Sequence, residues 1–166
     1  MATPLHSSGS TVANRLPSTC CTFGLSRSST CPAVIGATGG GHWMVDDGRE
    51  VYIEEMVGVY RADYGANTAL SQARLALQSC ENIPFTVTDM KGRSYDFTLL
   101  PEVASPSPDI LLWSFRADDW ACDSAFVAAH NAAIEISTCG PSGGYPVVNL
   151  AEEALKRIEN LANTTA

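Results

Sequence analysis

Several common features are missing from this sequence, and each absence excludes a class of protein. No apolar run approaches the roughly 18 residues of a membrane-spanning helix, so we expect no transmembrane segment. Basic residues are scarce and scattered, with 10 lysines and arginines against 18 aspartates and glutamates, and the net charge is −8. A field of that sign repels nucleic-acid phosphates and anionic lipid head groups, so neither is an expected partner.

The N-terminus also lacks a secretory signal. Residues 1–10 have neither a basic start nor an apolar core of about seven or more residues. We therefore expect folding in a reducing cytosol, where the six cysteines would remain thiols. The cysteines are Cys20, Cys21, Cys31, Cys80, Cys122 and Cys139. Three disulfides in an exported domain are the alternative.

Metal-ligand spacing is also missing. The best candidate set combines Cys20, Cys21 and Cys31 with His6 and His42. Adjacent cysteines followed by a gap of nine residues match no common zinc spacing. We therefore predict no metal and no other cofactor.

Residues 1–45 are almost uncharged and show no sustained apolar period. Alone, such a segment cannot offset its ordering entropy, so we predict an extended N-terminal arm before a single α+β domain over 46–166. The arm would dock on neighbouring subunits or, alternatively, wrap over its own domain, with Trp43, Phe23 and Leu25 as candidate interface residues. Its glycine-rich end at 36–41 lacks the lysine and hydroxyl residue of a P-loop and is predicted to be a flexible joint.

The clearest pattern in the body is a hairpin over residues 83–100. Apolar and polar residues alternate on both arms, at the period of two that a half-buried strand requires. A three-residue loop places Phe85 opposite Phe97 and Val87 opposite Tyr95. We predict a small, mostly antiparallel sheet built on this central hairpin and flanked by two or three helices.

Apolar stripes at helical spacing occur in three places. The predicted helices run from Thr68 to about Ser79, from Asp118 or Asp119 towards Ile136, and from an N-cap at Asn149 through Ile158 and Leu161. Residues 133–138 also fit a strand.

Two further segments are candidates for strands of the predicted sheet. Residues 50–62 fit helix and strand equally, and their adjacent acids Glu54 and Glu55 are interpreted as a solvated face. The apolar run at 110–115 predicts a strand that is covered on both faces.

One catalytic motif is met literally, because residues 140–144 match G-x-S-x-G around Ser142. A nucleophile elbow needs a helix directly after the serine and a histidine later in the chain. Pro146 blocks such a helix, and no histidine follows His130. We therefore prefer a glycine-rich turn, with a small hydrolase using Ser142 and either His130 or His42 as the alternative.

These observations predict a non-enzymatic structural subunit of a larger assembly. A viral or phage virion component, such as a decoration, neck or tail protein, is the most natural example. Its partners would be protein subunits, and its location the virion or the cytoplasm. The alternatives are the Ser142 hydrolase and an exported, disulfide-stapled binding module.

Overall fold

A computed structural model describes residues 34–164, apart from 47, 64, 89–91, 142 and 144. Within these residues the fold is mostly β. The strands are β1 (Val34–Asp46), β2 (Arg49–Tyr60), β3 (Phe85–Thr88), β4 (Ser94–Leu99), β5 (Ile110–Arg116), β6 (Ala121–Ala129) and β7 (Ala132–Gly140), and the helices are α1 (Ala66–Cys80) and α2 (Val147–Thr164). The strands form one antiparallel sheet in the order β1-β2-β7-β6-β5-β4-β3.

The sheet curls into a half-barrel. In sheet order β1 and β4 are five strand spacings apart, which would be roughly 24 Å in a flat sheet. Trp43 on β1 and Tyr95 on β4 nevertheless both contact Trp120, with ring centroids 6.1 and 5.7 Å from its own. The curl therefore brings the two sides of the sheet together and gives it an inner and an outer face.

Each face is covered by one helix. On the inner face, α1 joins a buried cluster that includes Tyr60, Leu70, Leu77, Leu99, Leu111, Trp113 and Phe126. On the outer face, α2 joins a second cluster that includes Ile110, Leu112, Val127, Ile134, Ile136, Ala151, Ala154 and Ile158. The interior strand β5 contributes to both clusters, so the prediction of a strand covered on both faces is confirmed.

The predicted hairpin register is confirmed, but its place in the sheet is not. Phe85 pairs with Phe97 and Val87 with Tyr95. This hairpin, β3-β4, forms one edge of the seven-stranded sheet. The prediction of a small sheet centred on the hairpin and flanked by two or three helices is therefore wrong, because alternation specifies a strand's register and not its position in a sheet.

The second predicted helix, beginning at Asp118 or Asp119, is also wrong. The segment forms β6 and β7, joined by a tight turn in which His130 has a φ of 53°. Its alanines favour a helix locally. Between two layers of helix, however, small side chains such as Ala125 and Ala128, both fully buried, let α1 and α2 approach the sheet closely.

The other two predicted helices are confirmed with shifted ends. α1 contains the predicted stretch from Thr68 to Ser79, and α2 begins at Val147, so Asn149 lies inside the helix instead of capping it. Residues 50–60, which fitted helix and strand equally, belong to β2. Among the described residues, no helix is both long and apolar enough to cross a bilayer.

Residues 34–45, which the sequence assigned to the arm, form most of β1. The earlier part of the predicted arm, including Phe23 and Leu25, lies outside the described residues.

The three cysteines of the described residues form disulfides instead of the predicted thiols, whereas Cys20, Cys21 and Cys31 lie outside the described residues. Cys122 on β6 and Cys139 on β7 are directly paired in the sheet, with Cα atoms 4.1 Å apart, and form a disulfide. Cys80 is also disulfide-bonded. The thiol prediction was wrong because it rested on cellular compartment alone, whereas antiparallel neighbours bring two sulfur atoms within bonding reach.

Candidate binding site on the inner face

The part of the inner face beside α1 carries three rows of side chains. Residues that pair directly on neighbouring strands point to the same face of a sheet. The first row holds Trp43, Tyr52, Cys139 and Cys122; the second holds Gly41, Glu54, Ser137 and Ser124; the third holds Gly39, Met56, Glu135 and Phe126. We call the concave surface formed by Gly41, Tyr52, Glu54, Ser124, Glu135 and Ser137 the inner hollow.

Two carboxyl groups lie in the inner hollow. Glu54 on β2 pairs with Ser137 on β7, and Glu135 on β7 pairs with Met56, so the glutamates are diagonal neighbours. Burial raises the pKa of Glu54. Burial, and secondarily the charge of Glu54, raise the pKa of Glu135 to about 8. Both side chains are only partly buried by surface area, so they are enclosed by protein yet reachable by solvent, as groups on the floor of a concavity are.

No lysine or arginine in the described part of the chain forms a salt bridge with either carboxyl. Arg157 of α2 pairs with Glu55 on the outer face instead. The hydroxyls of Ser124 and Ser137 are hydrogen-bonded to each other at 2.8 Å. The hollow thus holds two acidic groups without a compensating positive charge among the described residues.

Four aromatic rings close one end of the hollow. The Trp43 ring contacts Tyr52 at a centroid distance of 5.2 Å and Trp120 at 6.1 Å, and Trp120 in turn contacts Tyr95. We call these rings the aromatic arch. Neighbouring rings are tilted by 49°, 58° and 33°, so their faces follow a curved surface. Trp43 is 43% exposed, which leaves the arch open to solvent.

Gly41 provides the space for the Tyr52 ring. A methyl group at position 41 would overlap the hydroxyl end of Tyr52, so only glycine lets this ring lie across β1. Burial, followed by the charge of Glu54, raises the pKa of Tyr52. The glycine-rich segment that was predicted to be a flexible joint is strand, and its glycine at 41 shapes the hollow.

The sequence-based site residues have different outcomes. Trp43 lies in the aromatic arch, and its role at an interface with another protein stays a prediction. Glu54 and Glu135 were missed. Glu54 was grouped with Glu55 as a solvated face, but on a strand the two point to opposite sides, so the alternation within residues 51–59 could have separated them.

The alternative hydrolase gains no geometric support. Ser142 lies outside the described residues, but Pro141 and Gly143 on either side follow the end of β7. His130 precedes the start of the same nine-residue strand, roughly 25–30 Å away. Within the described residues, no group of three or more metal-ligating side chains occurs either.

Comparison with known proteins supplies a family. The family model described as "PknH-like extracellular domain" matches residues 30–157, well over half of the chain. Among solved structures, the chain is similar to the crystal structure of the extracellular domain of PknH from Mycobacterium tuberculosis, with a TM-score of 0.55 and 22% identity. The match covers 77% of this chain and 64% of that one. At this identity the likeness concerns the fold. No curated protein matches.

The family match overturns two predictions. A viral or phage virion component is wrong, and so is a location in the virion or the cytoplasm, because the matching family is one of extracellular domains. The alternative of an exported, disulfide-stapled binding module agrees better with the match and with the Cys122–Cys139 bond. The virion prediction depended on the low-complexity composition of residues 1–45, and no individual residue required it.

Proposed function

This chain belongs to the family of PknH-like extracellular domains, and on that premise we propose that it is a non-enzymatic domain that binds a small-molecule ligand in the inner hollow. The fold positions the hollow between α1 and the aromatic arch, with its floor on β2, β6 and β7.

The observation that carries this proposal is the pair of enclosed carboxyls. Removing a carboxylate from water is unfavourable unless a positive charge or hydrogen bonds replace the water. Glu54 and Glu135 have no such partner among the described residues, and the charge of Glu54 adds to the cost of ionising Glu135. Strongly perturbed acidic groups in a cleft are more typical of functional sites than of structural cores.

The composition of the hollow also supports binding. Ligand sites are usually concave, lined by apolar and aromatic groups, and supplied with a few polar groups that fix orientation. Here the aromatic arch and Met56 supply the apolar surface, while two carboxyls and the hydroxyl of Ser137 supply the polar groups; Ser124, which is fully buried, holds that hydroxyl from behind.

The described histidines lie away from the hollow, which removes one common catalytic group from it. His42 pairs with Ile53 and so points to the outer face, and His130 lies in the β6–β7 turn. Ser124 and Ser137 are hydrogen-bonded to each other, so neither hydroxyl forms the hydrogen bond to a histidine that activates a serine nucleophile.

Amide chemical shifts of the isotope-labelled chain would test the proposal. Choline, glucose, glutamate and octanoate would each be added at millimolar concentration. We expect at least one compound to shift the amide signals of residues 41–43, 52–56 and 135–139 in a saturable manner. Saturable shifts confined to the outer face, or no saturable shift with any compound, would contradict a binding role for the hollow.

Protein partners are a separate matter. The earlier expectation that protein subunits are the partners stays a prediction, and the exposed fraction of Trp43 is its main support.

A further inference from the structure

The charge balance of the inner hollow indicates what kind of ligand it takes. Glu54 and Glu135 are diagonal neighbours, and the salt bridges of the described residues all involve other acids. An anionic ligand would bring negative charge next to two carboxyls whose own ionisation is already unfavourable. A ligand with one positive charge would replace the missing counter-charge and relieve the repulsion between the carboxyls.

The aromatic arch favours the same charge. The face of an aromatic ring is negative and attracts cations that lie within about 6 Å of its centroid. Because neighbouring rings of the arch are tilted against each other, they present faces from several directions to one curved surface. The Arg93 guanidinium lies 5.6 Å from the Tyr95 centroid, so the rings left for a ligand cation are those of Trp43, Tyr52 and Trp120.

The lining distinguishes an organic cation from a metal ion. Calcium and magnesium require six or more oxygen ligands, including waters. The described residues contain no group of three or more metal-ligating side chains. Next to the carboxyls lie Met56, the Cys122–Cys139 disulfide and the rings of the arch, which are apolar surfaces that suit the carbon substituents of an amine.

We propose that the inner hollow binds a small organic cation, an amine or a quaternary ammonium group, with Glu54 and Glu135 as its counter-charges and the aromatic arch as its apolar wall. This inference rests on the proposed binding function and adds the chemical class of the ligand. A neutral polyol, which could also stack on Trp43 and hydrogen-bond to the carboxyls, is the competing class.

Two pairs of compounds, each a cation and a neutral compound of similar size and shape, separate the effect of charge on binding from the effect of shape. Choline would be compared with 3,3-dimethyl-1-butanol, in which carbon replaces the charged nitrogen, and n-butylammonium with n-butanol. Binding to the full 166-residue chain would be measured by calorimetry and by tryptophan emission. We expect each cation to bind at least roughly tenfold more tightly than its neutral counterpart.

Substitutions then locate the charge effect. Glu54→Gln should weaken binding of the cations and leave the neutral counterparts unaffected, and Glu135→Gln provides the same test if the first variant does not fold. Glu159→Gln on the exposed side of α2 removes an equal charge from the opposite side of the sheet and should change nothing.

The outcomes separate the two proposals. Equal affinities within each pair, or cation binding that is unchanged in both glutamate variants, would overturn the cation class while leaving a binding hollow in place. No binding of either cation would also overturn it. In that case the shifts produced by glucose and octanoate decide independently whether the hollow binds ligands at all.

Discussion

Glu135 lies diagonally across from Glu54 on the neighbouring strand, and the charge of Glu54 is one of the two causes of its raised pKa. In the described chain neither carboxyl has a basic partner. Each of the following predictions tests a part of the structure that produces or surrounds this pair.

The first prediction concerns stability against pH. The pKa of Glu135 is about 8 in the folded protein and 4.5 without its surroundings, so between these values the folded state holds a proton that the unfolded state lacks. The stabilisation is present below pH 4.5 and is lost as the pH rises through 8. Glu135→Gln should therefore be more stable than wild type at pH 9, by on the order of 2–4 kcal/mol.

Urea unfolding between pH 5 and pH 9 measures this difference. Glu159→Gln, which changes an exposed residue on α2, should keep the wild-type dependence on pH. If Glu135→Gln also kept that dependence, Glu135 would not be enclosed.

The second prediction compares two neighbouring glycines. Gly41→Ala places a methyl group where the Tyr52 hydroxyl lies, whereas Gly40→Ala meets nothing within 4 Å. The first substitution should destabilise the fold by roughly 1–3 kcal/mol and shift the emission of Trp43, whose ring contacts Tyr52. The second should change stability by less than about 0.5 kcal/mol. Equal effects of the two substitutions would show that Tyr52 does not lie across β1.

The third prediction concerns the disulfide in the floor of the sheet. Replacing Cys122 and Cys139 together by alanine opens a link between residues 17 positions apart and should cost about 3 kcal/mol in urea unfolding. The double variant is better than a reducing agent, which would also attack the disulfide of Cys80. Peptide mapping of the unreduced wild type supplies the control. Free thiols at both positions would refute the assignment.

The fourth prediction separates two residues of α2 that the sequence placed in one buried stripe. Ile158 is 6% exposed and Leu161 is 67% exposed. Ile158→Ala should therefore lower the free energy of unfolding by roughly 2–4 kcal/mol, and Leu161→Ala by less than about 0.5 kcal/mol. Similar losses for the two would mean that α2 continues to pack on the sheet through its last turn.

Local patterns predicted local structure well. The alternation around Phe85 and Phe97 specified their pairing, and the helical spacing in α1 and α2 identified both helices. The predictions that were wrong concern structure that depends on distant parts of the chain. The alanine-rich segment of β6 and β7 has helical propensity, but its neighbours in the sheet and the two covering helices determine its conformation.

The candidate site could not be predicted from the sequence, because it also depends on contacts between distant parts of the chain. Glu54 and Glu135 are separated by some eighty positions in the chain and meet only because β2 pairs with β7. Tyr95 and Trp43 are brought together around Trp120 by the curl of the sheet, which no short motif encodes. The sequence named Trp43 as a candidate interface residue, which stays a prediction, and it did not indicate the side chains that surround Trp43.

The most direct test of the account is a pH titration of the glutamate side-chain carboxyl carbons by nuclear magnetic resonance. We predict that Glu135 titrates near pH 8 and that the pKa of Glu54 is above that of an ordinary glutamate. Both values should shift when choline is added, because the cation stabilises the ionised carboxyls. If both groups titrated like exposed glutamates and ignored choline, the inner hollow would not be an enclosed acidic site.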